Sequence, residues 1–254
     1  MFCRVFWTVS ALVYGSLVGC ELGAPPATPK PRTLGASVAE SRRAFPVVEL
    51  LGQFDPAAHP DFVQIAAPFA GKPRMYLRRE AAEAFARMAE AAQRDGVALR
   101  VLSATRTFAH QKAIWERKWR QRATAMPDPV ARARSILEYS SMPGVSRHHW
   151  GTDVDLNALE NSDFEPGGRH EKVYRWLQQH AHQFGFCQPY TSARATGYRE
   201  EKWHWSYRPL SGPMLRQYAA QMSDSSLTGF LGAETAVPLQ VVKHYALGVD
   251  TSCQ

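Results

Sequence analysis

The sequence lacks the patterns that would assign its positive charge to a nucleic-acid partner. It contains no helix-turn-helix, zinc-knuckle or aromatic RNA-binding signature, although the formal net charge is +7 and the isoelectric point is near 9.4. A basic chain still favours acidic partners, and anionic lipid headgroups or an anionic polymer remain as candidates. We therefore predict that the protein binds no nucleic acid.

Internal repeats are also absent, and nothing in the composition indicates a fibrous or disordered chain. The chain has 254 residues, of which 45% are hydrophobic and 21% charged. This length and balance predict one substantial globular domain with extensions, and a monomer is the default expectation.

A long apolar run is missing as well. The apolar stretch over residues 5–19 follows Arg4 and is shorter than the roughly 20 residues that a comfortable membrane span requires. Such a stretch is typical of a secretion signal. It ends in Leu-Val-Gly-Cys, which resembles a bacterial lipobox and implies cleavage before Cys20 and lipidation of that residue. An ordinary cleaved signal and a short uncleaved anchor are the alternatives.

Cysteine is scarce, with four in the chain. Cys3 and Cys20 belong to the predicted signal, so Cys187 and Cys253 lie in a compartment where disulfides persist. The latter two either form a bridge or are separate small buried residues, because connectivity cannot be seen in a sequence. Cys187 is not expected to be a nucleophile, since no basic activator is evident beside it.

The segment that follows Cys20 is rich in proline. Residues 21–32 have no apolar period and suit an extended, solvated tether. We predict a lipoprotein signal peptide over 1–19, the lipidated cysteine and tether over 20–44, and one folded domain over 45–254. The expected location is outside the cytoplasm, on a membrane-anchored lipoprotein that faces the periplasm or the cell wall.

Hydrophobic periodicity predicts helices that alternate with short strands. Helices are expected over 77–94, 107–120 and 169–184, with Gly96 and Gly185 as stops for the first and last. Strands are expected over 97–102 and 151–157. Residues 123–144 contain prolines and basic residues and are predicted to form an irregular segment at the surface. The fold class is therefore α+β.

Two stretches are rich in metal-binding residue types. Residues 146–157 read Ser-Arg-His-His-Trp-Gly-Thr-Asp-Val-Asp-Leu-Asn, and residues 201–205 read Glu-Lys-Trp-His-Trp. A catalytic zinc site uses three protein ligands and keeps one position open, a count that His148, Asp155 and His204 fit. Gly151 lets the backbone turn so that the first two converge, and Glu201 suits a general base. Each residue taken alone is equally well explained as an ordinary packed side chain.

Together with a third stretch, these residues resemble the zinc D-alanyl-D-alanine carboxypeptidases related to the vancomycin-resistance peptidases, in the group that includes lysostaphin and the hedgehog fold. The family pattern Ser-x-x-Arg-Ser/Thr-x-x-x-Gln appears over 103–111. Ser-x-His-x-x-Gly-x-Ala-x-Asp appears over 146–155 with one departure, and Glu-x-x-His over 201–204. The resemblance extends from about Phe45 onward and implies a single domain with a small, mainly antiparallel sheet flanked by helices.

The resemblance also implies a role for each matched residue. It implies one zinc ion held by three ligands, namely His148, Asp155 and His204. Glu201 becomes the catalytic base, and Arg106 a cation for the developing oxyanion or the substrate carboxylate. Ser146 and Gln111 become substrate-binding residues. Ligand type alone would also allow another divalent ion.

The implied activity is hydrolysis of a peptide bond in peptidoglycan stem peptides. Removal of the C-terminal D-alanine by a D,D- or L,D-carboxypeptidase is the expected reaction, and the stem peptide and the membrane are the expected partners. An endopeptidase of the same family is an alternative. A zinc-containing wall-binding lipoprotein without catalytic activity is the alternative from another class.

One position departs from the family pattern. Asp153 stands where the family commonly has alanine, two residues before the expected ligand Asp155. It is expected either to compete for the metal or to support a ligand from behind. His149 is interpreted as a neighbour of the site, and Lys202 as a neutral departure.

Overall fold

The computed structural model describes residues 44–254. The helices of this part are α1 (Val47–Leu50), α2 (Arg79–Arg94), α3 (Phe108–Gln121), α4 (Pro129–Leu137), α5 (Glu171–His180), α6 (Arg208–Gln221) and α7 (Ala236–Leu239). The strands are β1 (Phe62–Gln64), β2 (Tyr76–Arg78), β3 (Val101–Ser103), β4 (Asp153–Leu156), β5 (Phe186–Cys187) and β6 (His204–Tyr207). Short 3-10 turns at Arg147–Trp150, Asn161–Phe164 and Ala181–Phe184 connect them, and further short turns follow α6.

Four strands form one antiparallel sheet in the order β3-β4-β6-β5, and β1 pairs with β2 in a separate antiparallel hairpin. At the centre, Asp155 lies opposite His204 across the β4–β6 pair. Side chains alternate along a strand, so Val154 and Leu156 point away from Asp155 and into the core. The predicted α+β single domain, with a small antiparallel sheet flanked by helices, is confirmed.

The buried apolar side chains form two clusters. In one, Phe85 of α2 and Trp176 of α5 pack with Val154 and the apolar face of the sheet. In the other, α3, α4 and α6 pack around Trp115 and Trp150. Helices thus flank the sheet. They do not cover the end of β3 or part of one face of β4 and β6, and a cleft forms there.

The helix predicted over 77–94 begins later than expected. Leu77 belongs to β2, and α2 begins at Arg79. The reason is Arg78, whose buried side chain donates from Nε to the carbonyl of Trp150 at 2.9 Å and whose N–H donates to the carbonyl of Gly151 at 2.9 Å. These bonds keep the backbone extended. The strand predicted over 97–102 also begins later than expected. β3 begins at Val101 and ends one residue beyond the predicted end, at Ser103.

The prediction of an irregular surface segment over 123–144 is wrong for the central part of this segment, which forms α4. Ala133, Ile136 and Leu137 are buried in the core. The side chain of Asp128 accepts hydrogen bonds from the first N–H groups of this helix, and Pro129 occupies its first turn. Both are helix-start signals that the sequence contains.

The other two helical predictions are confirmed. Thr107 caps α3 by accepting the N–H of His110 at 3.2 Å, and Trp115 and Trp119 are buried as core residues. The segment predicted over 169–184 forms α5 and a following 3-10 turn, and Gly185 ends it with a φ of 82°. Glycine adopts this left-handed conformation without steric cost.

Of the two alternatives for the cysteines, the structure contains the bridge. Cys187 of β5 is disulfide-bonded to Cys253 near the end of the chain. The signal peptide, Cys20 and the tether lie outside the described residues. Among residues 44–254, no helix combines the length and the apolar character needed to cross a membrane.

Candidate metal centre and active-site cleft

Of the predicted ligand, catalytic and substrate-binding residues, all except Gln111 line one cleft of about 770 Å³. Arg106, Ser146 and Glu201 line it, as do the three expected ligands. A second groove of about 800 Å³ lies against β5 and α6 beside the disulfide and contains none of the predicted site residues. We therefore assign the chemistry to the first cleft, although the second is slightly larger.

His148, Asp155 and His204 form a compact buried cluster whose candidate ligand atoms all lie within 4.8 Å of one another. Asp155 Oδ1 is 3.1 Å from His204 Nδ1, and Asp155 Oδ2 is 3.3 Å from His148 Nε2. Two local features create the cluster. The register of the sheet places Asp155 opposite His204, and the 3-10 turn that carries His148 leads directly into β4.

Gly151 ends that turn with a φ of 71°. A Cβ atom at this position would lie 2.2 Å from the ring of Phe62. Glycine is therefore required both by the left-handed backbone and by the close approach of the aromatic ring. This residue allows the chain to pass from His148 into the strand of Asp155.

The donor set fits a divalent metal ion. Asp155 Oδ1 is buried and makes no hydrogen bond among the described residues, which leaves it available as a ligand. His148 Nδ1 bonds the carbonyl of Ala104 at 2.9 Å, so Nδ1 carries the proton, and the lone pair of Nε2 faces the cluster, where Arg106 Nη2 lies 3.1 Å from it. Burial, followed by the charge of Arg106, lowers the pKa of His148 to about 4. The imidazole is therefore neutral near pH 7, as metal binding requires.

Glu201 lies beside the cluster, with Oε2 3.4 Å from His204 Nδ1. Its N–H donates to the carbonyl of Tyr190 at 2.9 Å, which fixes the segment that leads into β6. Glu201 is buried, with 9% of its side chain exposed, and burial raises the pKa of its carboxyl group. A carboxylate with a raised pKa is suited to accept a proton near neutral pH.

Arg106 extends into the cleft from the loop after β3. Its Nη2 donates to Asp155 Oδ2 at 2.7 Å, and its Nε donates to Ser103 Oγ at 2.9 Å. Gln111 does not line the cleft. Its Oε1 accepts from Arg106 Nη1 at 3.4 Å and its Nε2 donates to the carbonyl of Ser141 at 2.8 Å. Gln111 therefore acts on the cleft through Arg106 and Ser141.

His149 is directed away from the ligand cluster. Its Nδ1 bonds the carbonyl of Arg106 at 2.7 Å, and its Nε2 accepts the N–H of Gly144 at 3.1 Å. Burial lowers the pKa of this histidine to about 4. The neutral ring thus ties the Arg106 loop to the Gly144 loop, in agreement with its interpretation as a neighbour of the site.

Asp153 is completely buried and faces the opposite edge of His204. Its Oδ2 lies 3.7 Å from His204 Nε2 and accepts from Arg147 Nε at 3.1 Å. It is not part of the cluster of candidate ligand atoms. Asp153 therefore lies behind His204 and outside the group of candidate ligand atoms.

The other side of the cleft carries a group of cations that we call the basic wall: Lys72, Arg117 and Lys118. Within the described part of the chain, none of the three has a carboxylate within 4.0 Å. Lys118 is half-buried and donates to Ser140 Oγ. Its pKa is lowered by burial and then by Arg122 and Arg117.

The sequence analysis did not identify three features of the site: the basic wall, Arg147 and Tyr190. The ring centroid of Tyr190 lies 4.7 Å from that of His204. The wall had a detectable signal, because His110, Ile114, Arg117 and Lys118 follow helical spacing and share one face of α3. Arg147 and Tyr190 had none, since their contacts depend on how loops pack around β6.

The comparison with known families identifies the chain. The model of a family described as VanY, D-alanyl-D-alanine carboxypeptidase, matches residues 74–210, which is more than half of the 254-residue chain. The chain therefore belongs to the D-alanyl-D-alanine carboxypeptidase family. The matched range contains β2, the Arg106 loop, the 3-10 turn of His148 and the central strands β4 and β6.

Individual relatives match over shorter stretches. A D-alanyl-D-alanine carboxypeptidase of Enterococcus faecalis is 33% identical over 124 residues, which are 46% of this chain and 43% of the relative. The chain thus spans less than half the length of this curated relative. A structure of a vancomycin-resistance D,D-pentapeptidase VanY variant in complex with Zn(II) has 24% identity and a TM-score of 0.46, and the match covers 65% of this chain and 85% of that one.

Proposed function

We propose that this protein is a zinc-dependent peptidase that removes the C-terminal D-alanine from peptidoglycan stem peptides, as a D,D- or L,D-carboxypeptidase. The observation that carries the proposal is the convergence of the His148, Asp155 and His204 cluster with Glu201 and Arg106 in one cleft of a family member. An arrangement of this kind provides a metal site, a proton acceptor and an oxyanion partner together.

A single zinc ion is the proposed cofactor. Two imidazoles and one carboxylate are the donor types that zinc accepts, and three protein ligands leave a position open for catalysis. When bound, zinc acidifies water and polarises a carbonyl group as a Lewis acid. The close approach of the candidate ligand atoms, all within 4.8 Å of one another, and the buried Oδ1 of Asp155, which makes no hydrogen bond in the described structure, support this assignment.

The protein side chains carry the proton and the charge. Glu201 accepts the proton of the attacking water and later delivers it to the departing amine, a role that its buried position and raised pKa favour. The guanidinium of Arg106, held in place by Ser103 and Asp155, stabilises the negative charge that develops on the scissile carbonyl oxygen. Ser146, which also lines the cleft, is proposed to contact the substrate.

The basic wall supports a substrate that carries free carboxylates. Lys72, Arg117 and Lys118 face the same cleft as Glu201 and lack acidic partners of their own in the described structure. A stem peptide with a free C-terminal carboxylate would be attracted to these cations. We therefore favour a carboxypeptidase over an endopeptidase that cuts inside a cross-link.

We further propose that the domain is exported and anchored to a membrane through lipid on Cys20. The disulfide between Cys187 and Cys253 supports a compartment outside the reducing cytoplasm. A monomer is proposed. Stem peptide and anchoring membrane would then be its partners.

Mass spectrometry of a muropeptide mixture tests the proposal. The mixture is incubated with the zinc-loaded protein, with the chelator-treated protein and with Glu201→Gln. Loss of a mass equal to one alanine residue, only with the zinc-loaded wild type, is the expected result. Internal cleavage of cross-linked muropeptides would favour the endopeptidase. Unchanged muropeptides in the presence of a protein that retains one tightly bound zinc would favour a non-catalytic wall-binding protein.

A further inference from the structure

Two buried charged residues behind the ligand cluster, Arg147 and Asp153, have no part in the chemistry proposed above. Their side chains are 1% and 0% exposed, respectively. An ion pair withdrawn from water in this way is weak evidence of stabilisation, because desolvation offsets the attraction between the charges. The burial of this pair therefore points to a role in positioning the groups around it.

The two ring nitrogens of His204 face different carboxylates. Nδ1 lies 3.1 Å from Asp155 and 3.4 Å from Glu201, on the cleft side. Nε2 is buried, makes no hydrogen bond among the described residues, and lies 3.7 Å from Asp153 Oδ2. The metal is therefore expected at Nδ1, and a neutral ring that gives Nδ1 to a metal must carry its proton on Nε2.

The sheet fixes this arrangement. Asp153 and Asp155 lie two residues apart on the same face of β4, and the register pairs them with Ser206 and His204 of β6. The imidazole of His204 thus lies between the two carboxylates. One carboxylate is in the ligand cluster, and the other is directed at the nitrogen on the far side of the ring.

Arg147 holds Asp153 in position and neutralises its charge. Its Nε donates to Asp153 Oδ2 at 3.1 Å and its Nη2 donates to Ser206 Oγ at 2.6 Å. Ser206 Oγ in turn donates to Ser211 Oγ at 2.9 Å, and the guanidinium lies 4.7 Å from the ring centroid of Trp150. Both partners of the ion pair are therefore fixed by neighbours on α6 and on the turn that carries His148.

We propose that Asp153, held by Arg147, is a positioning residue that keeps the proton of His204 on Nε2 and so directs Nδ1 toward the metal. The inference rests on the proposed metal site. It assigns a function to the carboxylate that stands where the family pattern has alanine. An acceptor behind a metal-bound histidine fixes the tautomer and raises the basicity of the ligand.

Zinc affinity tests the inference without a peptidase assay. The dissociation constant of the full-length protein is measured by competition with a chromophoric chelator. The variants are Asp153→Asn and the double variant Arg147→Met with Asp153→Ala, which removes both charges together. We expect zinc binding to weaken about 10- to 100-fold in both. As a matched control, Arg169→Met with Asp163→Ala removes a surface ion pair and should leave the affinity unchanged.

The double variant separates two roles of Asp153. If Asp153 served only to neutralise Arg147, the double variant would bind zinc as tightly as the wild type, and that result would overturn the inference. A wild-type protein that bound no zinc would overturn the proposed metal site and this inference together. Wild-type affinity in both variants would overturn the inference alone.

A measurement on the wild type remains decisive if a variant fails to fold. Long-range proton–nitrogen NMR spectra of the zinc-loaded protein report the tautomer of His204. We expect a proton on Nε2 and the metal on Nδ1. A proton on Nδ1 would overturn the inference.

Discussion

The two sides of the cleft are built on different principles. The ligand side, formed by the turn of His148 and by β4 and β6, is buried and its polar groups face one another at 3.1–3.4 Å. The basic wall, on α3 and the loop before β2, is half-buried or exposed, and its cations have no carboxylate within 4.0 Å in residues 44–254. The charged groups of the first side are buried against one another, whereas the cations of the second are left available to a ligand from solvent.

This difference assigns separate duties to the two sides. Rigid, desolvated groups are suited to metal binding and proton transfer, because their geometry and pKa values are set in advance. Solvated cations attract and orient an anionic substrate at little structural cost. Changes on the ligand side should therefore affect turnover and stability, and changes on the basic wall should affect substrate binding.

The largest effect is expected from Glu201→Gln. The substitution keeps the shape of the side chain and removes the proton acceptor, so kcat should fall about 10²- to 10⁴-fold. Zinc content should not change, because Glu201 is outside the group of three candidate ligands. Steady-state kinetics on a stem pentapeptide, together with metal analysis of the same sample, measures both. A variant that retained wild-type kcat would remove Glu201 from the mechanism.

The next effect is expected from Gly151→Ala, which strains only the ligand side. A left-handed alanine costs about 1–2 kcal/mol, and the clash with Phe62 adds about 1–3 kcal/mol of overpacking. Urea denaturation should show the corresponding loss in the free energy of unfolding. Gly96→Ala is the matched control, since Gly96 has a φ of 73° but no atom within 4 Å of the added Cβ. Equal losses in the two variants would show that the packing around Gly151 is not tight.

A smaller effect is expected from acidification. His149 has a pKa of about 4 in the folded protein, compared with about 6.5 when it is unfolded. The unfolded state therefore binds a proton first, and the stability that the neutral ring contributes is present above pH 6.5 and is lost as the pH falls toward 4. Between pH 7.5 and 5.5 the free energy of unfolding of the metal-free protein should fall by on the order of 1 kcal/mol for this residue.

His149→Gln checks this assignment. The variant should show a shallower dependence of the free energy of unfolding on pH over the same interval. The comparison isolates His149, because the other groups whose pKa values are shifted by folding, such as Glu201 and His148, are the same in the wild type and the variant. An identical slope in wild type and variant would contradict the account.

The smallest effect is expected from Lys118→Met on the basic wall. Loss of one partly solvated charge should raise KM about two- to fivefold for an anionic peptide and leave kcat nearly unchanged. The difference should diminish at high salt. Lys112→Met is the control, because Lys112 lies on the same helix but pairs with Glu116 and does not line the cleft. A KM change no larger than that of the control would mean that the wall does not bind substrate.

The sequence indicated the ligand side because its motifs over 146–155 and 201–204 resemble those of a known family. The positive φ of Gly151 is a local feature that the sequence shows, whereas the pairing of β4 with β6 joins distant segments and came only with the resemblance. The prediction of an α+β fold followed from periodicity. The roles of individual site residues stay predictions until they are measured.

Other features depended on contacts between distant segments. Leu77 fits a helical pattern, but bonds from Arg78 to the turn after His148 keep this part of the chain extended. The segment over 123–144 looked like a loop because proline and basic residues hid the buried face of α4. Gln111 matched the family motif, yet its position as a support for Arg106 is visible only in three dimensions. The disulfide could not be paired from sequence for the same reason.

The most direct test of the metal centre is an anomalous difference map recorded at the zinc edge from crystals of the zinc-loaded protein. We expect one strong peak, about 2.0–2.2 Å from a nitrogen of His148, Nδ1 of His204 and an oxygen of Asp155. Absence of a peak in the cleft, or a peak bound by Asp153 or His149 in place of these ligands, would contradict this expectation.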